Sequence, residues 1–229
     1  MNRLVVVHQP DFLPWLGFFD RLLRADLYVV LDCVQYINRG WMHRDRIKTP
    51  LGPQWLSLSV KKSPRGTPMS EIHLSEEVRW RDDNLALIRQ NYRSAPFADE
   101  VMPQLERLYR LPTTSLVEFN LASIAGIMEQ FDIHTQLIMA SSLNPQGKGN
   151  DLIVDILRSV GATHYLSGQG ARAYFEPGPF AAAGIEVVWQ DFAHPVYPQM
   201  HGSFVPMLSA IDLLFNCGVK RSRELLGSS

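Results

Sequence analysis

Residues 4–7, Leu-Val-Val-Val, form an unbroken apolar and β-branched run, the pattern of a strand buried on both faces. The run ends in the polar turn His8-Gln9-Pro10-Asp11, and Phe12-Leu13-Pro14-Trp15 follows. A helix is expected from near Leu16, with Leu16, Phe19, Leu22 and Leu23 on one face. Residues 26–32 then return as a second apolar strand that ends in the carboxylate of Asp32. This is a β-loop-α-β unit. Open parallel sheets bind their ligands at the carboxyl ends of the strands, and His8 and Asp32 each fall at such an end.

The alternation continues along the chain. Residues 47–49, a turn at 50–53 and residues 54–60 read as a β-hairpin. Residues 80–111 are helical in pattern, with breaks expected at Pro96 and Pro103. The most regular helix spans 115–131, with Thr113 or Thr114 as its cap and Leu116, Phe119, Ile124 and Ile127 inward. Strands are expected at 135–140, 163–167 and 184–190. A helix at 151–160 is closed by Gly161, and a small helix follows Arg172. Leu208, Ile211, Leu214 and Phe215 mark the buried face of a last helix, which Cys217-Gly218 ends. The whole reads as a three-layer α/β domain over residues 1–219, with a mostly parallel sheet, an inserted β-hairpin and a helical segment. The charged residues 220–229 are expected to be a flexible C-terminal tail.

Composition narrows the classes. The 229 residues are 46% apolar and 20% charged, with a formal charge of −1, so no overall field draws nucleic acid or anionic lipid. The amino-terminal residues run straight into a strand and lack the form of a signal peptide. No apolar run approaches the ~20 residues of a membrane span. Cys33 and Cys217 are too few and too far apart for a disulfide framework or a CxxC metal site. A reduced, cytoplasmic protein acting on a small molecule is expected.

Four constellations could carry chemistry. Around His8, the prolines and Gly17 could merely turn the chain, with Trp15, Phe18 and Phe19 as core. A His, a Gln and an Asp gathered at a strand's carboxyl end favour a ligand-facing role for His8, Gln9 and Asp11. Gly147-Lys148-Gly149-Asn150-Asp151 opens a helix, where free N–H groups and Lys148 suit a phosphate; a flexible loop with an N-cap reads equally well. In Ser167-Gly168-Gln169-Gly170-Ala171-Arg172, the glycines allow close approach of a ligand and Arg172 offers a bidentate fork; the alternative is a plain turn. His194, Tyr197 and Gln199, set among prolines after the last strand, make either a rigid polar wall or an ordered surface loop. The basic stretch from Asn38 to Lys48 suits a small anionic substrate better than single-stranded nucleic acid, given the neutral total charge. Zinc spacing, a Ser-His-Asp order and a GxGxxG fingerprint are all missing.

The β-loop-α-β unit resembles the nucleotidyltransferase version of the Rossmann-like fold, in which an HxGH signature holds nucleotide phosphates. Pro14-Trp15-Leu16-Gly17-Phe18 lies where that signature would sit; Gly17 matches, and Trp15 and Phe18 replace the histidines. His8 is left to supply an imidazole.

More specifically, the chain resembles the WbqC-like family. The blocks that carry the likeness include His8-Gln9-Pro10, Leu13-Pro14-Trp15-Leu16-Gly17-Phe18-Phe19, Ala25-Asp26 and Asp32-Cys33-Val34-Gln35-Tyr36. Others are Arg44 to Lys48, the segment 161–168, Tyr197-Pro198-Gln199 and the segment 208–218. One departure is Gly40-Trp41 with His43-Arg44, where the family shows an Asn-Arg pair; this bears on His43 and leaves Arg44 in place.

Members of that family occur in polysaccharide and O-antigen biosynthesis loci, some making sugars with an amino-acid substituent. The resemblance therefore implies ATP-dependent transfer of an acyl or aminoacyl group to an amino sugar. His8, Asp11 and Asp32 would be catalytic, with Mg²⁺ held by Asp11 or Asp32. Gln9, Trp15, Gln35, Arg44, Lys48, Lys148, Ser167, Gly168, Arg172, His194, Tyr197 and Gln199 would bind a nucleotide or nucleotide sugar. The alternative is a non-catalytic module that binds nucleotide sugars or scaffolds an assembly. Both readings expect His8, Asp32, Ser167, Gly168 and Arg172 to meet in one cleft rimmed by Arg44 to Lys48.

Overall fold

The computed structural model describes residues 2–227. In chain order the elements are β1 (Leu4–His8), α1 (Leu16–Arg24), β2 (Leu27–Val30), β3 (Arg44–Thr49), β4 (Gly52–Ser57), α2 (Trp80–Tyr92), α3 (Ala98–Tyr109) and α4 (Leu116–Phe131). There follow β5 (Gln136–Met139), α5 (Gly149–Ser159), β6 (His164–Ser167), α6 (Pro177–Ala182), β7 (Glu186–Trp189) and α7 (Ala210–Gly227).

Five strands lie in the order β5-β2-β1-β6-β7, all parallel. Alternating side chains of β1 explain the unbroken apolar run. Val6 joins Tyr28, Val30 and Leu166 against α1, α4 and α7, whereas Val5 and Val7 join Leu27, Val29 and Tyr165 against α5 and α6. Helices thus cover both faces, and the architecture is three-layer and Rossmann-like. β3 and β4 pair antiparallel as a separate hairpin. From β1 the chain builds outward through β2 to β5, then returns to lay β6 and β7 on the other side of β1. The switch point between β1 and β6 opens a crevice at the strands' carboxyl ends.

Some local expectations are revised. The packed face of α1 runs through Leu16, Phe18, Phe19 and Leu22, while Leu23, in the last turn, is 42% exposed. Pro103 does not break α3. The carbonyl it leaves without a donor belongs to Asp99, on the exposed side of the first turn, and buried Val101 and Leu105 hold the helix on the core. The cap of α4 is Ser115, whose Oγ accepts from the Glu118 N–H at 3.2 Å; Thr113 supports it by accepting from the Ser115 N–H at 3.1 Å.

The tail expected to be flexible is helical as far as Gly227. Gly218 does interrupt α7, with φ +68°, but a further helical stretch follows. Its charges mask an inward pair four residues apart, Ser222 and Leu226, both buried. Arg223 adds a tether by donating to the Gln130 and Glu129 carbonyls at the carboxyl end of α4. Residues 228 and 229 lie outside the described residues. Among the described residues no helix is long and apolar enough to cross a membrane.

Candidate functional site

The switch-point crevice is a cleft of ≈ 750 Å³. His8, Gln9 and Asp11 enter it from the end of β1, Ser167 and Gly168 from the end of β6, and Arg21 from α1. Trp15 and Phe192, in edge contact at 5.5 Å between ring centroids, form an aromatic wall. The loop after β1 is pinned where it carries these groups. Asn120 Nδ2 donates to the carbonyls of Pro10 (2.8 Å) and Met42 (2.6 Å), and Ser209 Oγ donates to that of Leu13 (2.6 Å). Gln190 fixes α1 from below, donating to Gly17 O at 2.7 Å and Asp20 Oδ2 at 2.6 Å.

His8 is neutral in this setting. Its Nδ1 lies 2.8 Å from Gln9 O, which can only accept, so Nδ1 carries the proton and Nε2 keeps its lone pair. The side chain retains 32% of its accessible surface, yet the surrounding walls desolvate it. Burial first, then the Arg21 charge, push its pKa from 6.5 down to about 3, against the Gln9 hydrogen bond. Asp11 Oδ2 stands 3.8 Å from His8 Nδ1. Burial pushes its carboxyl from 3.8 up to about 7, with Arg21 opposing. A free-base imidazole and a carboxyl that titrates near neutrality therefore sit side by side, suited to proton transfer.

Sequence reasoning missed Arg21. The residue is 6% exposed, and burial lowers its pKa against the opposing charge of Asp11. Arg21 follows Gly17 by four residues and Phe18 by three, so it shares the face of α1 that turns inward; an arginine on that face was the available signal.

The proposed residues separate into three groups. His8, Gln9, Asp11, Trp15, Ser167 and Gly168 line the cleft together. A second group gathers at Asp212 instead. Its carboxylate accepts from Tyr92 OH (2.6 Å), Tyr197 OH (2.9 Å) and Gln199 Nε2 (2.8 Å). Lys48 is buried nearby and donates to the Gly202 and Ser203 carbonyls, which ties down the segment after Gln199. Lys48, Tyr197 and Gln199 thus hold the fold. His194 connects the two centres, lying between the rings of Trp15 (6.4 Å) and Tyr197 (6.3 Å).

The remaining residues lie apart from the cleft lining. Asp32 Oδ1 accepts from the Ser141 N–H at 2.9 Å, which anchors the turn after β5. Gln35 is exposed and bridged through its backbone to Pro68. Arg44 lies over the Trp55 ring at 4.2 Å, on the hairpin. Lys148 is exposed just before α5, whose first residues Gly149 and Asn150 do line the cleft. Arg172 leans on Trp189 at 4.6 Å and donates to Gln169 Oε1 at 2.6 Å. The rim is supplied by Trp41 and Met207 rather than by Arg44 to Lys48.

Among the described residues no three His, Cys, Asp or Glu side chains gather as a metal cage. The single carboxylate of Asp11 fits Mg²⁺ only in the way such an ion binds beside ligand phosphates, which provide most of its oxygens. Asp11, not Asp32, would be the protein ligand.

A model of the WbqC-like protein family matches residues 9–224. The uncharacterized protein Rv1507c of Mycobacterium tuberculosis is similar, 29% identical over 222 residues that cover 96% of each chain. No solved structure gives a significant match.

Proposed function

The chain belongs to the WbqC-like protein family, and from that premise we propose an enzyme of cell-surface polysaccharide biosynthesis, of the O-antigen type, that joins an acyl or aminoacyl group to an amino sugar. The observation that carries the reading is His8 held as a free base beside Asp11, on the edge of the sheet where open α/β folds bind ligands. The donor carboxylate attacks the α-phosphorus of ATP, pyrophosphate leaves, and the acyl group is held as a mixed anhydride with AMP. The sugar amine then forms the C–N bond as the acyl C–O bond breaks, and AMP leaves. His8 Nε2 accepts the proton that the attacking nitrogen sheds, and Asp11 stabilises the imidazolium that results. Trp15 and Phe192 give a base or sugar an apolar face. Where ATP is used, Asp11 would help hold Mg²⁺, which would supply charge neutralisation for the phosphates.

A module that only binds nucleotide sugars accepts the same cleft, but it has no need of a desolvated imidazole next to a titrating carboxyl. Incubation with ATP, amino acids and nucleotide-linked amino sugars is expected to release AMP and pyrophosphate and to yield an amide by mass spectrometry. His8→Ala should lower the rate at least 100-fold. Turnover that survives His8→Ala unchanged sinks the assignment.

A further inference from the structure

We propose that Arg21 is the receptor for a phosphate group of the ligand, assisted by the open amino end of α5. The proposal rests on the reading above only in placing ligand and reaction in one cleft. A buried charge is costly unless it is paired and hydrogen-bonded. Arg21 is 6% exposed, its Nε is sealed from solvent without a partner, and among the described residues its guanidinium makes no hydrogen bond or ion pair. Asp11 acts on it through space without contact. The two Nη groups therefore keep their four N–H donors in a cleft where the protein supplies no acceptor.

The surroundings fit an anion. Arg21 Nη1 packs beside Gly168, where a Cβ would stand only 3.2 Å from it, so the bare position leaves the fork its space. Gly149 and Asn150 bring the first turn of the eleven-residue helix α5 to the same cleft, with no side chain capping that turn. A planar fork and helix amides together match the several oxygens of a phosphate better than the two of a carboxylate. The Trp15–Phe192 wall offers the adjoining apolar face that a nucleoside needs.

Titration calorimetry of the full chain with inorganic pyrophosphate tests this. Saturable binding is expected, at least tenfold weaker in Arg21→Met and intermediate in Arg21→Lys. Without ligand, Arg21→Met should melt at or above the wild-type temperature, because a buried unpaired charge has gone. The proposal is overturned if the wild type does not bind pyrophosphate, if Arg21→Met binds it equally well, or if glycine competes as effectively. It is equally overturned if Arg21→Met melts well below wild type and Arg21→Lys also fails to bind, since Arg21 then serves the fold. Arg21-dependent binding in a protein that never releases AMP would sink the acyl-transfer reading and leave this one standing. AMP release undisturbed in Arg21→Met would do the reverse.

Discussion

Replacing Asp11 by Asn is expected to stabilise the protein at neutral and alkaline pH and to change little near pH 4. Asp11 is 6% exposed, and its carboxyl is pushed from 3.8 up to about 7, chiefly by burial. Between those values the folded protein holds a proton that the unfolded chain has lost. The contribution of Asp11 to stability is therefore greatest below pH 3.8 and falls as the pH rises toward 7. A rise of about three pH units, at ~1.4 kcal/mol per unit, bounds that loss at about 4 kcal/mol. His8 works in the opposite sense. Its value is lowered from 6.5 to about 3, so its contribution is full above 6.5 and is lost as the pH falls toward 3. Over the shared range the two nearly cancel and flatten the wild-type curve.

Asn does not titrate, and among the described residues the Asp11 carboxylate accepts no hydrogen bond that the change would break. Urea unfolding from pH 4 to 8, followed by circular dichroism, should show Asp11→Asn gaining stability across this range. It should exceed the wild type by about 2–4 kcal/mol at pH 8. A variant less stable than wild type at pH 8, or a gap that does not vary with pH, refutes the burial argument.

Asp212→Ala should cost about 3–5 kcal/mol in urea unfolding, because it strands the Tyr92 and Tyr197 hydroxyls and the Gln199 amide in the interior; a loss under ~1 kcal/mol would show that these donors find other partners. Leu226→Ala should cost about 2–4 kcal/mol, since the side chain is 1% exposed at the end of the chain. An unchanged midpoint would return residues 219–227 to the status of a loose tail.

The sheet was legible because its pattern is local. The valines of β1 and the apolar run of β2 need no knowledge of the rest of the chain, and strand polarity then puts His8, Ser167 and Gly168 on one edge. What a polar residue does there was less legible. Asp32 lies two residues past the end of β2, near the edge where His8 ends β1, but its oxygen serves the amide of Ser141, 109 residues away. Lys48 looked like part of a basic surface and Tyr197 and Gln199 like a wall, whereas they gather at Asp212 through contacts such as Tyr92 to Asp212, 120 residues apart. Arg21 was overlooked for the converse reason. A charge on a helix is assigned by habit to the solvent side, and only the position of Gly17 and Phe18 on its own face argues otherwise.

The two polar centres are built differently. At Asp212 the carboxylate is met by three donors, and Lys48 finds two carbonyls. Such a network rigidifies the interior because its members answer one another. In the cleft the groups do not. Arg21 has no acceptor, His8 Nε2 keeps a lone pair, and Asp11 is desolvated without a donor. The unpaired charge of Arg21 lowers stability, and Asp11 does so increasingly as the pH rises toward 7, whereas neutral His8 carries no such cost near neutral pH. In the proposed reading the ligand completes this cleft, as an anion for Arg21 and a proton donor for His8.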